Sequence, residues 1–154
     1  MSMYTLKYAR NRLMKVLTAA TDEQLDFVPD GFNNSIRWNA GHVMVIADRI
    51  FSHIKQYTPV LPAHYISFFD MGTKPADWSE PPPSVEEIIA YSSKQMTAIE
   101  KIYQHPEQWQ LKKPFENRGT VFQTYQDILS FVIFHEGMHF QTMKLYYDRT
   151  KKKD

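Results

Sequence analysis

The sequence predicts an all-α protein: a four-helix bundle in up-down-down-up order, with a long crossover between the second and third helices. Three observations lead there. Four stretches of similar length carry apolar residues at helical spacing. No run alternates convincingly as a β-strand. A connection over residues 56–83, holding Pro59, Pro62, Pro75, Pro81, Pro82 and Pro83, separates the second helix from the third. A connection this long is uncommon inside a compact domain and implies a function or a distance to cover.

The first helix is expected over residues 3–20, where Leu6, Ala9, Leu13, Val16, Leu17 and Ala20 share a face. Lys7, Arg10, Arg12 and Lys15 precede every acid in the chain and read as a solvated helix face. A turn-rich stretch through Pro29-Asp30-Gly31 and Asn33-Asn34 follows. Ser35 is an N-cap for the second helix, which should run to about Lys55. Its apolar residues, among them Ile36, Trp38, Val43, Met44, Val45, Ile46 and Ile50, cover most of its circumference, so it should be buried on more than one side.

Within the crossover a short helical turn is expected over residues 63–70. Ser84, with Glu87 three residues on, forms a capping box for the third helix. Val85, Ile88, Ile89, Met96, Ile99 and Tyr103 lie on its inner face, and Pro106 closes it. An irregular segment with Trp109, Pro114, Phe115 and Gly119 leads to the fourth helix, residues 124–149, opened by Thr124 and Asp127 as a second capping box.

The 154 residues suffice for one domain with a real core, and one domain over residues 1–154 is expected. A 43% hydrophobic, 23% charged composition is that of an ordinary soluble protein, and a formal net charge of +1 gives no reason to expect nucleic acid. Lys151, Lys152 and Lys153 read as a solvated tail. The longest uninterrupted aliphatic run, residues 43–47, is far short of a membrane span. The N-terminus shows no apolar signal core, which makes the cytoplasm the expected location. With no cysteine there is no disulfide framework, thiolate metal site or thiol nucleophile, so any thiol chemistry has to come from a substrate.

The chemistry concentrates in His135-Glu136-Gly137-Met138-His139. Histidines four apart project from one helix face, where two neutral imidazoles can bind one transition metal. Tyr125, Ile128, Val132, Thr142 and Tyr146 share that stripe, so two core histidines bonded to neighbours are an equally open reading. A third ligand decides between them. His64 and His105 lie in or beside proline-broken segments, and His53 lies near the end of the second helix, where the dipole favours a cation. None of these three is the expected ligand.

His42 is the candidate. Ala40 and Gly41 beside it would let another backbone approach closely. At a rise of about 1.5 Å per residue, His42 lies about 10 Å from the start of its helix and His139 about 15 Å from the end of the fourth. If these helices run antiparallel the histidines meet at nearly one height, which the up-down-down-up order provides. His-Glu-x-x-His is also a zinc peptidase signature, but the residues after His139 hold no histidine or glutamate to complete that site.

With Trp38-x-x-Gly41-His42-Val43 and His135-Glu136-x-x-His139-x-Gln141 in this order and spacing, the chain resembles the DinB family of four-helix-bundle metalloproteins, which includes bacillithiol S-transferase-like members. The resemblance covers essentially the whole chain. It implies a divalent metal, zinc or nickel, on His42, His135 and His139. It also implies as partners a small-molecule thiol, such as bacillithiol or mycothiol, and an electrophile. Members commonly carry glycine where this chain has Phe140.

The leading expectation is therefore a metal-dependent enzyme acting as a low-molecular-weight thiol S-transferase. A metal-dependent hydrolase and a non-enzymatic metal-binding bundle that works by association are the alternatives. Glu136 is the candidate catalytic base or outer partner of a ligand. Arg49 shares the face of His42 and either meets an anionic substrate or forms an internal ion pair. Phe131, Phe134, Met138 and Leu145 form a stripe that is either internal core or the surface of a homodimer.

Overall fold

Side-chain oxygens set where three of the four long helices begin. In the computed structural model, which describes residues 3–105 and 108–151, Ser35 Oγ accepts from Trp38 N–H at 3.2 Å and opens α3, Ile36–Phe51. Ser84 Oγ accepts from Glu87 N–H and opens α5, Val85–Tyr103. Thr124 and Asp127 cap each other reciprocally and open α6, Tyr125–Thr150. With α1, Tyr4–Ala19, these are the four helices expected, within a residue or two except at the end of α3. The described residues are mostly helical, and two shorter helices complete the set: α2, Asp22–Asp26, and α4, His64–Phe69.

Four expectations need correction. The capping box at Ser84 is only half made, because the Glu87 carboxylate lies 3.4 Å from His64 Nε2. The second helix stops at Phe51 rather than near Lys55, since the backbone beyond it pairs elsewhere. Lys55 N–H donates to Gln110 O, and Lys112 N–H donates to His53 O, each at 2.8 Å. The stretch after α1 contains α2, opened by a full capping box of Thr21 and Gln24. Finally, a β-hairpin is present: β1, Phe115–Asn117, pairs antiparallel with β2, Thr120–Phe122. Arg118 and Gly119 join the strands with φ of 49° and 78°, the positive values a two-residue turn needs. Pro106, Lys152 and Lys153 lie outside the described residues.

Burial follows two apolar clusters. One joins Leu13 and Leu17 of α1, Ile36 to Val45 of α3, Ile88 of α5, and Met143 and Tyr146 of α6. The other joins Leu6 of α1, Ile46 to Phe51 of α3, Ile99 and Ile102 of α5, and Ile128 to Val132 of α6. α3 is buried almost all round, as its apolar circumference predicts. No helix among the described residues is long and apolar enough to cross a membrane.

The connection between α3 and α5 is held against α3 at two points. Asp48 of α3 accepts from Val60 N–H and Leu61 N–H at 3.0 and 2.9 Å, and from the Tyr57 hydroxyl and Gln95 Nε2. Further along, α4 lays the Phe69 ring on the α3 backbone at Gly41, so close that a Cβ there would sit 2.4 Å from the ring. Gly41 is therefore required by space.

The reading of Arg10 as part of a solvated face is wrong. Arg10 is 2% exposed and Glu136 fully buried; Arg10 Nε and Nη2 donate to Glu136 Oε1 at 3.1 and 2.5 Å, tying α1 to α6. Arg12 instead stacks over Phe140, 5.0 Å from the ring centroid, which gives the bulky residue at that position a partner.

Removing one member of a buried ion pair strands the other. Glu136→Ala should lower unfolding free energy by about 3–5 kcal/mol. Replacing Arg10 and Glu136 together with apolar residues of similar volume should restore most of it. Urea unfolding of the three variants checks both outcomes.

Candidate metal centre

The site begins with helix spacing. His135 and His139, one turn apart on α6, present their rings side by side with centroids 4.5 Å apart. His42 of α3 meets both, at centroid distances of 5.3 and 4.8 Å. One ring nitrogen from each of the three lies within 4.8 Å of the others, so the cluster could hold a metal ion. His53, His64 and His105 lie elsewhere.

Hydrogen bonds choose which nitrogen faces inward. A carbonyl only accepts, so the 2.8 Å contact of His42 Nδ1 with Phe69 O fixes the proton on Nδ1 and leaves Nε2 as the lone-pair donor. His139 Nδ1 lies 2.7 Å from Asn39 Oδ1. The Asn39 amide is itself oriented, because its Nδ2 donates to Ser35 O at 2.7 Å. His139 therefore also carries its proton on Nδ1, and its Nε2 lone pair points at His135 Nε2, 3.2 Å away. Two lone pairs at that distance repel unless a cation lies between them. Either a proton on His135 Nε2 or a metal meets that need. The donor set thus fits a metal, with neutral nitrogens aimed inward and outer partners on the opposite ring edges.

Electrostatics point the same way. Burial pushes the pKa of all three histidines down, to about 4 for His135 and about 3 for His139, where the neighbouring imidazoles add to the effect. At neutral pH all three are the uncharged form that binds metal. Trp38 stacks on His42 at 4.4 Å, with the ring planes 14° apart, and closes that side.

The other side is open. A cleft of about 820 Å³ reaches His42 and His135 and is bounded by α3, α6 and the hairpin. Arg49 lines it but pairs with Asp70, the internal alternative for that residue. Phe134 and Met138 line it too and are 61% and 45% exposed, whereas Phe131 is half-buried against the hairpin.

Glu136 takes another direction. Both hydrogen bonds it accepts come from Arg10, and burial raises its pKa while Arg10 opposes the rise. Sequence reasoning missed Asn39 and the Phe69 carbonyl. Asn39 lies one turn past the Ser35 cap, a position that was legible. The carbonyl has no side-chain signal at all.

Three imidazoles converging from two helices form a site that could hold a metal ion. The DinB superfamily model matches residues 5–143, and the chain belongs to that superfamily. No curated protein matches it.

Two outcomes follow for the centre. Asn39→Ala should weaken metal affinity about 10–100-fold, the usual effect of losing an outer partner, as read by competition with a chromogenic chelator. The metal-free protein should lose stability as pH falls below about 6.5, the pKa of an unperturbed histidine. The folded values lie lower, so between pH 6.5 and about 4 the unfolded chain binds more protons and stability rises with pH. Urea midpoints that stay flat across that window would contradict the burial of these imidazoles.

Proposed function

We propose that the protein is a metal-dependent enzyme that transfers a low-molecular-weight thiol of the bacillithiol type to an electrophile. The observation that carries this reading is the convergence of His42, His135 and His139 beside an open cleft. Three imidazole donors suit zinc or nickel and leave coordination positions for exogenous ligands, as catalytic sites do. A divalent cation held there supplies Lewis acidity, which favours the ionised form of a thiol near neutral pH.

The chain's own residues do the rest. Phe69 O and Asn39 hold the rings of His42 and His139 in the tautomer that donates. Trp38 shields the site on one side, and the cleft admits reactants on the other. The chain has no cysteine, so the nucleophilic sulfur belongs to the substrate. In the transfer the thiol gives up its proton to solvent, its sulfur bonds to the electrophilic carbon, and the bond from that carbon to its former substituent breaks, the electron pair leaving with the substituent. We assign Glu136 a positioning role through Arg10, because a fully buried, ion-paired carboxylate cannot reach a reacting atom in the cleft. Small cellular thiols are kept reduced in the cytoplasm, where this reading places the protein.

We also read the four long helices as an up-down-down-up bundle within one domain spanning residues 1–154. Support comes from the clusters. Early α1 and α6 residues share a cluster with late α3 and α5 residues, and the other cluster has the reverse membership. Residues 56–83 then form the crossover.

Elemental analysis of protein purified without added metal should find zinc or nickel. A conjugation assay with bacillithiol, mycothiol and glutathione against a panel of electrophiles should give turnover that chelation removes and divalent metal restores. His42→Ala or His139→Ala should lower that rate by more than about a hundredfold, beyond the loss typical of an outer partner. If no thiol reacts above the metal-free control while an ester is cleaved in a His42-dependent way, hydrolysis replaces transfer as the activity.

A further inference from the structure

The cleft beside the histidines holds two features that the metal centre does not explain. One is apolar surface left open to water: Phe134 and Met138 of α6 line the cleft beside the half-buried Phe131, and Met71, which is 72% exposed, lines it too. Contiguous apolar surface of this kind beside a reactive centre marks a place where a ligand removes it from water. The other feature is the hairpin tip. Arg118 lines the same cleft with φ 49°, a left-handed conformation in which asparagine or glycine is the unstrained choice. It forms no ion pair with any described residue.

The hairpin is firmly seated. Phe115 and Phe122 face each other across the strands at 5.4 Å, and both meet Phe131 edge-on at 5.2 and 5.0 Å. Phe131 in turn lies parallel to the His135 ring at 6.3 Å. Arg118 is thus carried on a support that rests on the turn of α6 just before the first histidine. The other charged groups on the cleft are Arg49, already held by Asp70, and Glu116, which alternation along β1 sets on the strand face opposite Phe115. Arg118 is left as the cation available to a ligand.

We propose that the hairpin is the substrate-recognition element and that the electrophile is an amphipathic anion. Its apolar body, aromatic by preference, lies on Phe131, Phe134 and Met138, and its carboxylate or phosphate meets Arg118. A small cellular thiol is too polar to match that surface. The proposal deepens the S-transferase reading and rests on it only for which end of the ligand reacts.

Calorimetric titration with 4-phenylbutyrate, 4-phenylbutyl phosphate and 4-phenylbutanol, on the protein as purified and after chelation, tests it. Both anions, or one of them, should bind at least about tenfold tighter than the alcohol, the scale of a charge-assisted contact. The two anions together show whether carboxylate or phosphate is preferred. Arg118→Gln should abolish the preference. Arg118→Asn should abolish it too while keeping or raising the melting temperature, because asparagine suits the turn; a purely structural arginine would not behave so. Phe134→Ala should weaken all three probes alike. Equal binding of anions and alcohol, absence of binding, or a preference that survives in Arg118→Gln would overturn the proposal. A preference lost on chelation and indifferent to Arg118 would place the anion on the metal instead and would overturn it equally. Anion preference intact in a protein that takes up no metal would sink the metalloenzyme reading and leave the hairpin standing as the element that recognises an amphipathic anion.

Discussion

Much of this structure depends on how closely the Phe69 ring packs on the α3 backbone at Gly41. Any side chain there would collide with the ring, so the contact exists only because the residue before His42 is glycine. That contact seats α4 on α3 and brings the Phe69 carbonyl to His42 Nδ1. The carbonyl holds the ring by its Nδ1 edge and fixes the proton there, which leaves the lone pair on Nε2. A packing constraint at one residue thereby becomes a chemical property of the next.

The partner helix is fixed by different means. α6 presents His135 and His139 to α3 while Glu136, the residue after His135, turns toward α1 and is locked there by Arg10. Helical spacing makes these directions incompatible with a single face, so the two interactions together set the rotation of α6 about its axis. A buried ion pair adds little net stability compared with apolar packing of the same volume. Its value here is directional, since it opposes a rotation that would take the histidines out of register. Asp48 does comparable work on the segment that follows α3 by accepting from two backbone amides, a hydroxyl and an amide of α5. The interior thus specifies orientation with polar contacts and supplies stability with the two apolar clusters around them.

The hairpin shows how a site can be shaped by an element with little sequence signal. Its strands are three residues each, and too short for alternation to stand out. Its aromatic residues only make sense once Phe131 is placed beneath them. The same holds for Phe134 and Met138. On a helical wheel they form an apolar stripe with two possible explanations, and only the neighbouring cleft shows what surrounds them.

The helical class, the starts of α3, α5 and α6, the histidine pair on one face and the candidacy of His42 are all legible in the order of residues. Each of these rests on local physics: capping oxygens, a 3.6-residue period, or the smallness of Gly41 beside a histidine. The absence of cysteine likewise settles without coordinates that any thiol must come from outside. That Arg10 is buried rather than solvated, that Glu136 pairs with it, and that a backbone carbonyl and Asn39 orient two of the histidines emerge only from the packed helices. Those outcomes depend on residues far apart in the chain meeting in space. A charged residue's partner, a carbonyl's direction and the walls of a cleft leave no trace in composition or spacing. They arise where helices pack, and the order of residues along the chain does not contain them.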